Sequence, residues 1–131
     1  MYVVTGGAGF IGSNIVWALE QGGFGKIVVC DRQREGNKWR NIAKRELADV
    51  IAPEGLFDFL AANASNVEAV IHMGAISSTT ETDVDLILET NYHLSLKLWN
   101  WCTQHQARFI YASSAATYGD GAEGFDDDPS I

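Results

Sequence analysis

The chain has 131 residues, a length that fits one domain with a core of its own. Its formal net charge of −8 and its pI near 4.6 argue against nucleic acid or an anionic membrane surface as the partner of the whole domain. There is no signal-like leader, no apolar run long enough to span a bilayer, and no metal-type spacing of the two cysteines. We therefore expect a soluble, cytoplasmic protein without a metal site.

The first predicted elements are an apolar strand, a glycine-rich turn and an amphipathic helix that ends at residues 22–23. Gly6 permits a tight turn after the strand, Gly9 leaves room for a phosphate, and Gly12 lets the helix pack closely on the sheet. The free N–H groups of a helix N-terminus bind anions. The sequence therefore predicts a dinucleotide pyrophosphate site, with Phe10 and Ile11 in the same turn.

A second predicted strand, residues 26–30, ends at Asp31, about 20 residues beyond the turn, where an acidic group reaches the adenosine ribose. Six of the nine Lys and Arg residues follow within residues 32–45. Arg32 and Lys38 are the best candidates to bind the 2′-phosphate that distinguishes NADP from NAD, although the carboxylate of Asp31 would repel that phosphate. We favour NADP, with NAD as the alternative cofactor and a solvated basic surface as the alternative without a ligand.

The remaining predicted elements alternate between strand and helix, which indicates an α/β fold with a doubly wound parallel sheet. Asp49, in a short strand, is expected near the adenine. In chain order the elements are a basic helix or loop at residues 37–47, a strand at 48–50, a helix from Pro53 with Leu56, Phe57 and Leu60 on its apolar face, a strand at 67–71, a long helix at 83–106 and a strand at 108–112.

Ligands of such sheets bind beyond the carboxyl ends of the strands, so the residues after each strand are the candidates for function. Gly74 and Ala75 would let the backbone approach the cofactor, whereas we interpret His72 as structural. The hydroxyls and carboxylate of residues 77–81 suit either a sugar or the cap of the next helix. After the last strand, Ser114 and its neighbour Ser113 could orient a substrate hydroxyl.

The chain resembles the extended short-chain dehydrogenase/reductase family over essentially its whole length. The matching residues are Thr5-Gly-Gly-Ala-Gly-Phe-Ile-Gly12, Asp31, His72-Met-Gly-Ala75, Asn91 and Tyr111-Ala-Ser-Ser-Ala-Ala-Thr-Tyr-Gly119. Residues 74–81 and 111–119 are, within that family, similar to sugar-nucleotide epimerases that act on ADP-heptose for the lipopolysaccharide inner core. The resemblance implies a Rossmann fold, an NADP cofactor and epimerisation by transient oxidation and re-reduction.

The resemblance also implies roles for individual residues. Ser114 would be catalytic and, with Ser78 and Glu81, would contact a nucleotide-sugar substrate. We expect the full-length protein to be a homo-oligomer. The cofactor-binding residues that the resemblance adds are Met73, Gly74, Ala75, Ile76, Ser77 and Asn91.

The sequence departs from the family in two respects. No tyrosine is followed by a lysine four residues later, so the family's Tyr-x-x-x-Lys pair is absent from these residues, and by the resemblance we expect the C-terminal catalytic and substrate portion to be missing. Pro53 stands near the position where these epimerases often have a lysine for the 2′-phosphate. We therefore expect residues 1–131 to be a truncated cofactor domain that is inactive alone. The alternatives are a dehydratase or reductase of the same family and a noncatalytic dinucleotide-binding module.

Overall fold

The protein is described by a computed structural model that covers residues 1–33, 36–76 and 82–127. Five parallel strands form one sheet in the order β3-β2-β1-β4-β5. The chain order reverses between β1 and β4, which is where ligands of doubly wound sheets bind. The predicted fold class is confirmed. The strands are β1 (Tyr2–Thr5), β2 (Ile27–Cys30), β3 (Asp49–Ile51), β4 (Ala69–His72) and β5 (Arg108–Tyr111).

The helices lie close to their predicted positions. The predicted helix or loop at residues 37–47 contains a single 3-10 turn, Lys38–Asn41. The long predicted helix changes its winding, since a π-helical segment, Leu88–His93, separates two α-helices. Within the described ranges, no helix combines the length and apolar character needed to cross a bilayer. The α-helices are α1 (Phe10–Gln21), α2 (Leu56–Ala62), α3 (Val84–Ile87) and α4 (Leu94–His105).

The core has two layers, one on each face of the sheet. Successive residues of a strand point to opposite faces, so Val3 packs with α2 and α4 while Val4 packs with α1. Both valines are fully buried. The first layer comprises Val3, Val28, Cys30, Leu56, Leu60, Val67, Val70, Leu98 and Cys102, and the second comprises Val4, Ala8, Val16, Ile27, Val29, Ile42 and Ile71.

The expectation that Asp49 lies near the adenine is wrong. Asp49 is the first residue of β3 and pairs with Val28, three residues before Asp31. It therefore lies towards the amino ends of the strands, whereas ligands of such sheets bind beyond the carboxyl ends. The carboxylate of Asp49 instead accepts a hydrogen bond from the N–H of Val50, at 2.8 Å.

Candidate functional site

The glycine turn joins β1 to α1 with very little spare room. Gly6 has a positive φ of 65°, which is costly for residues with a Cβ, and a Cβ there would lie 2.8 Å from the nitrogen of Gly74. A Cβ on Gly12 would overlap the carbonyl oxygen of Gly6 and lie 2.9 Å from the Cα of Gly7. The predicted roles of Gly6 and Gly12, a tight turn and close helix packing, thus have a direct steric basis.

The N-terminus of α1 has free donors for an anion. Gly9, which precedes the helix, provides no side-chain cap, and the first turn holds no acidic residue. The side chains of Phe10 and Ile11 are 85% and 63% exposed, so the start of this helix is open to solvent. Unpaired N–H groups and the positive end of the helix dipole bind phosphates. The residues present therefore fit a dinucleotide pyrophosphate.

Asp31 lies beside the glycine turn at the carboxyl end of β2. Its Oδ2 accepts a hydrogen bond from the N–H of Ala8 at 2.9 Å, and its Oδ1 lies 2.5 Å from Nζ of Lys38. The Nδ2 of Asn41 donates to the carbonyl of Ala8 at 2.8 Å. The backbone N–H and carbonyl of Ala8 are thus both held by side chains that follow β2. Sequence reasoning missed Asn41, because an amide in a basic surface segment carries no distinctive pattern.

Arg32 points to a different partner. Its guanidinium forms an ion pair with Glu54, and both side chains are more than half exposed. The pKa of Glu54 lies below its ordinary value, because the Glu54 carboxylate accepts a hydrogen bond from its own backbone N–H and lies beside Arg32. The two predicted phosphate ligands thus have different environments, because Lys38 pairs with a nearly buried carboxylate whereas Arg32 pairs with one in solvent.

The loop after β4 packs directly on the glycine turn. The N–H of Gly74 donates to Oγ1 of Thr5 at 3.1 Å. The side chain of Asn91 holds Ile76 by two hydrogen bonds, accepting from its N–H at 2.8 Å and donating to its carbonyl at 2.9 Å. Met73, just before the first anchor, is half-buried, and Ala75, between the two anchors, is exposed. Asn91 therefore orients the backbone of this loop.

Three of the predicted residues, Ser77, Ser78 and Glu81, lie outside the described residues. Ser114 follows β5 and is exposed, and its Oγ accepts a hydrogen bond from the N–H of Ala116 at 3.2 Å. Since the N–H of Ala112 donates to the carbonyl of His72 at 3.2 Å, the segment that leads to Ser114 starts at the same edge of the sheet as the loop after β4.

Tyr118 lies four residues after Ser114 in the chain. Its hydroxyl donates a hydrogen bond to Asp127, and this bond is the main cause that raises the pKa of Tyr118 above 10. A proton acceptor needs the opposite shift, which a nearby cation would supply. The environment of Tyr118 therefore does not favour a role as general base.

Metal ligands do not cluster in the described part of the chain. Among residues 1–33, 36–76 and 82–127, no group of three His, Cys, Asp or Glu side chains could hold a metal ion. The polar groups described above are instead arranged along the carboxyl ends of the strands. This placement suits an organic ligand with a diphosphate near α1.

Comparison with known proteins gives consistent matches. The model of the NAD dependent epimerase/dehydratase family matches residues 2–130. The chain is 50% identical over 99% of its length to an ADP-L-glycero-D-manno-heptose-6-epimerase of Fusobacterium nucleatum and 48% identical over 98% to one of Nitratidesulfovibrio vulgaris. In both comparisons it spans only 40% of the relative.

Solved structures show the same partial coverage. The Helicobacter pylori ADP-L-glycero-D-manno-heptose-6-epimerase superposes with a TM-score of 0.76 at 31% identity, over 91% of this chain and 40% of that one. A Bacillus cereus UDP-glucuronic acid 4-epimerase in complex with UDP-glucuronic acid and NAD gives a TM-score of 0.79 at 25% identity, over 96% and 44% of the two chains.

Proposed function

Because the chain belongs to the NAD dependent epimerase/dehydratase family, we propose that it is the cofactor-binding part of an ADP-heptose 6-epimerase. The observation that carries this proposal is the glycine turn held by Asp31 and packed on the loop after β4, at the reversal point of the sheet. The 50% identity to an epimerase of this name supports the substrate class.

In the proposed mechanism each group of residues has a separate task. The bound dinucleotide supplies the capacity to accept a hydride from the sugar and to return it. The diphosphate binds the free backbone N–H groups at the start of α1, and Asp31 orients the glycine turn that leads into this helix through Ala8. Ser114 holds a substrate hydroxyl, and Ser78 and Glu81 contact the sugar. The proton acceptor is not among the four tyrosines of this chain, since none has a lysine four residues later.

We propose NADP as the preferred cofactor, with NAD as the alternative. Lys38 neutralises the carboxylate of Asp31, which lowers the repulsion that a 2′-phosphate would meet there. The NAD dependent family and the NAD complexes among similar structures support a nicotinamide dinucleotide in general.

The Lys38→Met variant tests the preference for NADP. Removing this charge leaves Asp31 free to repel the phosphate, so we expect NADP affinity to fall about ten-fold more than NAD affinity, as is typical of a lost charge-assisted contact. Titration calorimetry with both dinucleotides measures the ratio. Lys97→Met, which removes an exposed lysine from α4, is the control. An unchanged ratio in Lys38→Met contradicts the preference.

Activity is tested with a chimera that joins residues 1–131 to the remaining C-terminal part of the Fusobacterium nucleatum relative. We expect the chimera to interconvert ADP-D-glycero-D-manno-heptose and its L-glycero epimer, and chain 1–131 alone to be inactive. Ser114→Ala should lower kcat about 100-fold and Ser114→Thr much less, because only Thr retains the hydroxyl. A folded chimera that binds the dinucleotide without forming an epimer contradicts the epimerase proposal.

Two other functions make different predictions for the same proteins. A dehydratase or reductase would consume the nucleotide sugar without forming the epimer, and the reaction mixture would contain a different product. A noncatalytic module would bind dinucleotide and then a partner protein, both with chain 1–131 alone. The residues of 111–119 that match the epimerases favour the enzyme.

A further inference from the structure

A chain of buried and partly buried hydrogen bonds runs behind the loop at residues 73–76. Thr5 Oγ1 accepts from the N–H of Gly74 at 3.1 Å and lies 2.5 Å from Nδ1 of His72. On the other side of the ring, Nε2 of His72 lies 3.0 Å from Oγ of Ser95, which donates to the carbonyl of Asn91 at 3.0 Å. The imidazole thus connects β1 to the π-helical segment.

The hydroxyl groups determine which nitrogen of His72 carries the proton. Ser95 has one proton, which it donates to Asn91, so its oxygen must accept from Nε2–H of His72. Nδ1 is then an acceptor, and the Thr5 hydroxyl donates a hydrogen bond to it. The opposite tautomer would leave the Thr5 hydroxyl without an acceptor among the described contacts. This arrangement of donors and acceptors favours a neutral imidazole protonated on Nε2.

Asn91 closes this chain into a ring. Its side chain binds Ile76, two residues beyond Gly74, so the loop is anchored at both positions and the two anchors are joined through His72. We call this set of residues the loop ring. It comprises Thr5, His72, Gly74, Ile76, Asn91 and Ser95.

The surroundings of His72 favour the neutral form. The residue is only 4% exposed, and its ring stacks on Phe109 at 6.2 Å. The contacts described for its ring come from Thr5 of β1, Ser95 of α4 and Phe109 of β5, none of which carries a charge. An imidazolium at this position would have no described carboxylate to offset the loss of water.

We propose that His72 is a positioning residue, which through Thr5 and Ser95 fixes the loop at residues 73–76 against the glycine turn in the shape that the dinucleotide binds. This inference rests on the proposed cofactor function. Gly6 and Gly74 are so close that a Cβ on Gly6 would lie 2.8 Å from the nitrogen of Gly74. A loop released from the ring must be ordered again on binding, which lowers the affinity.

The ring itself is tested without a ligand, by NMR. We expect the ¹⁵N shifts of His72 to report the neutral Nε2–H tautomer at pH 7. Ser95→Ala should speed hydrogen exchange of the Gly74 and Ile76 amides about ten-fold, while the amide of Val70 in β4 stays protected. Thr103→Ala is the matched control, because Thr103 also donates to a carbonyl four residues earlier in α4. The Nδ1–H tautomer, or equal exchange in both variants, overturns the proposal.

The functional consequence is tested with NADP affinity. Thr5→Val removes the hydroxyl at nearly constant shape, and we expect binding to weaken about ten-fold, whereas Thr5→Ser should stay within about two-fold of the wild type. Equal affinities of all three proteins overturn the positioning role. If the folded wild type binds neither NADP nor NAD, the proposed function fails, and the exchange data still decide whether the loop ring exists.

Discussion

The central strand β1 and the edge strand β5 differ in how completely their side chains are buried. At β1, residues 3–5 are at most 3% exposed, and the strand has a neighbour on each side. At β5, an edge strand, Ile110 and Tyr111 are 53% and 50% exposed. The chain spans 40% of the relatives named above. The central strand beside the glycine turn is thus fully packed, whereas the edge strand β5 leaves large apolar side chains exposed.

The largest effect is expected from Gly12→Ala on the buried side. The new methyl group overlaps the backbone of Gly6 and Gly7, which cannot yield as a flexible side chain would. We expect the free energy of unfolding to fall by about 3 kcal/mol and dinucleotide affinity to fall about 100-fold or more. Denaturant unfolding and calorimetry measure the two quantities.

Gly55→Ala is the matched control, since a Cβ at Gly55 meets nothing within 4 Å. This variant should bind normally and lose less than about 1 kcal/mol of stability. If both alanine variants behave alike, the steric account of the turn is wrong.

The next largest effect on stability is expected on the buried face of α4, compared with its exposed face. Leu98 is fully buried in the core, whereas Leu96, on the same helix, is 44% exposed. Leu98→Ala should lower the free energy of unfolding by about 3 kcal/mol, because it leaves a cavity, and Leu96→Ala by about 0.5 kcal/mol or less. Similar losses in urea denaturation would show that the face of α4 that carries Leu96 is covered in solution.

A smaller effect is expected from the pH dependence of His72. Burial lowers the pKa of His72 in the folded chain below its ordinary value of 6.5. At a pH between the lowered pKa and 6.5, the unfolded chain therefore binds a proton that the folded chain does not. The stability that neutral His72 contributes is therefore present above pH 6.5 and is lost as the pH falls below it, by at most about 1.4 kcal/mol per pH unit.

The His72→Gln variant isolates this contribution. Its free energy of unfolding should fall less steeply than that of the wild type between pH 7 and pH 5, in denaturant titrations at fixed ionic strength. His105→Gln controls for the removal of an imidazole from an exposed site at the end of α4. Identical slopes for wild type and His72→Gln contradict a buried neutral His72.

The smallest effect concerns the exposed ion pair of Arg32 with Glu54. Glu54→Gln releases Arg32 for the 2′-phosphate, so NADP affinity should rise about three-fold while NAD affinity stays constant. Glu89→Gln, which breaks the exposed pair with Lys97, is the control. Fluorescence titration with both dinucleotides checks the change, and a parallel rise for NAD would show that Arg32 does not discriminate.

Local sequence patterns predicted the parts of the fold that depend on local rules. Glycine spacing gave the turn, the apolar runs gave the strands, and the position of Asp31 at a strand end gave its place beside the turn. The contact of Thr5 with His72 spans 67 residues, and neither residue type announces a partner at that distance. Such contacts follow from the order of strands in the sheet, which brings β1 beside β4.

What the sequence did not predict has an equally physical origin. The sequence places Asp49 inside a strand at residues 48–50, and only the register of β3 reveals that it is the first residue of that strand. Arg32 stays a predicted ligand of the 2′-phosphate, but its pairing with Glu54 was not predictable, because it depends on the 3-10 turn Pro53–Gly55, which lies after another strand. Residue type and spacing do not determine such side-chain directions on a surface.

We place the dinucleotide site at residues 6–12 and 73–76, with strand β5 outside it. The most direct measurement is an NMR titration of chain 1–131 with NADP, recorded on the backbone amides. We expect saturable shifts at residues 6–12 and 73–76, little change at residues 108–111, and binding by Gly12→Ala that is weaker by about 100-fold or more. A folded chain whose amides do not shift, or shift mainly along β5, would contradict this placement.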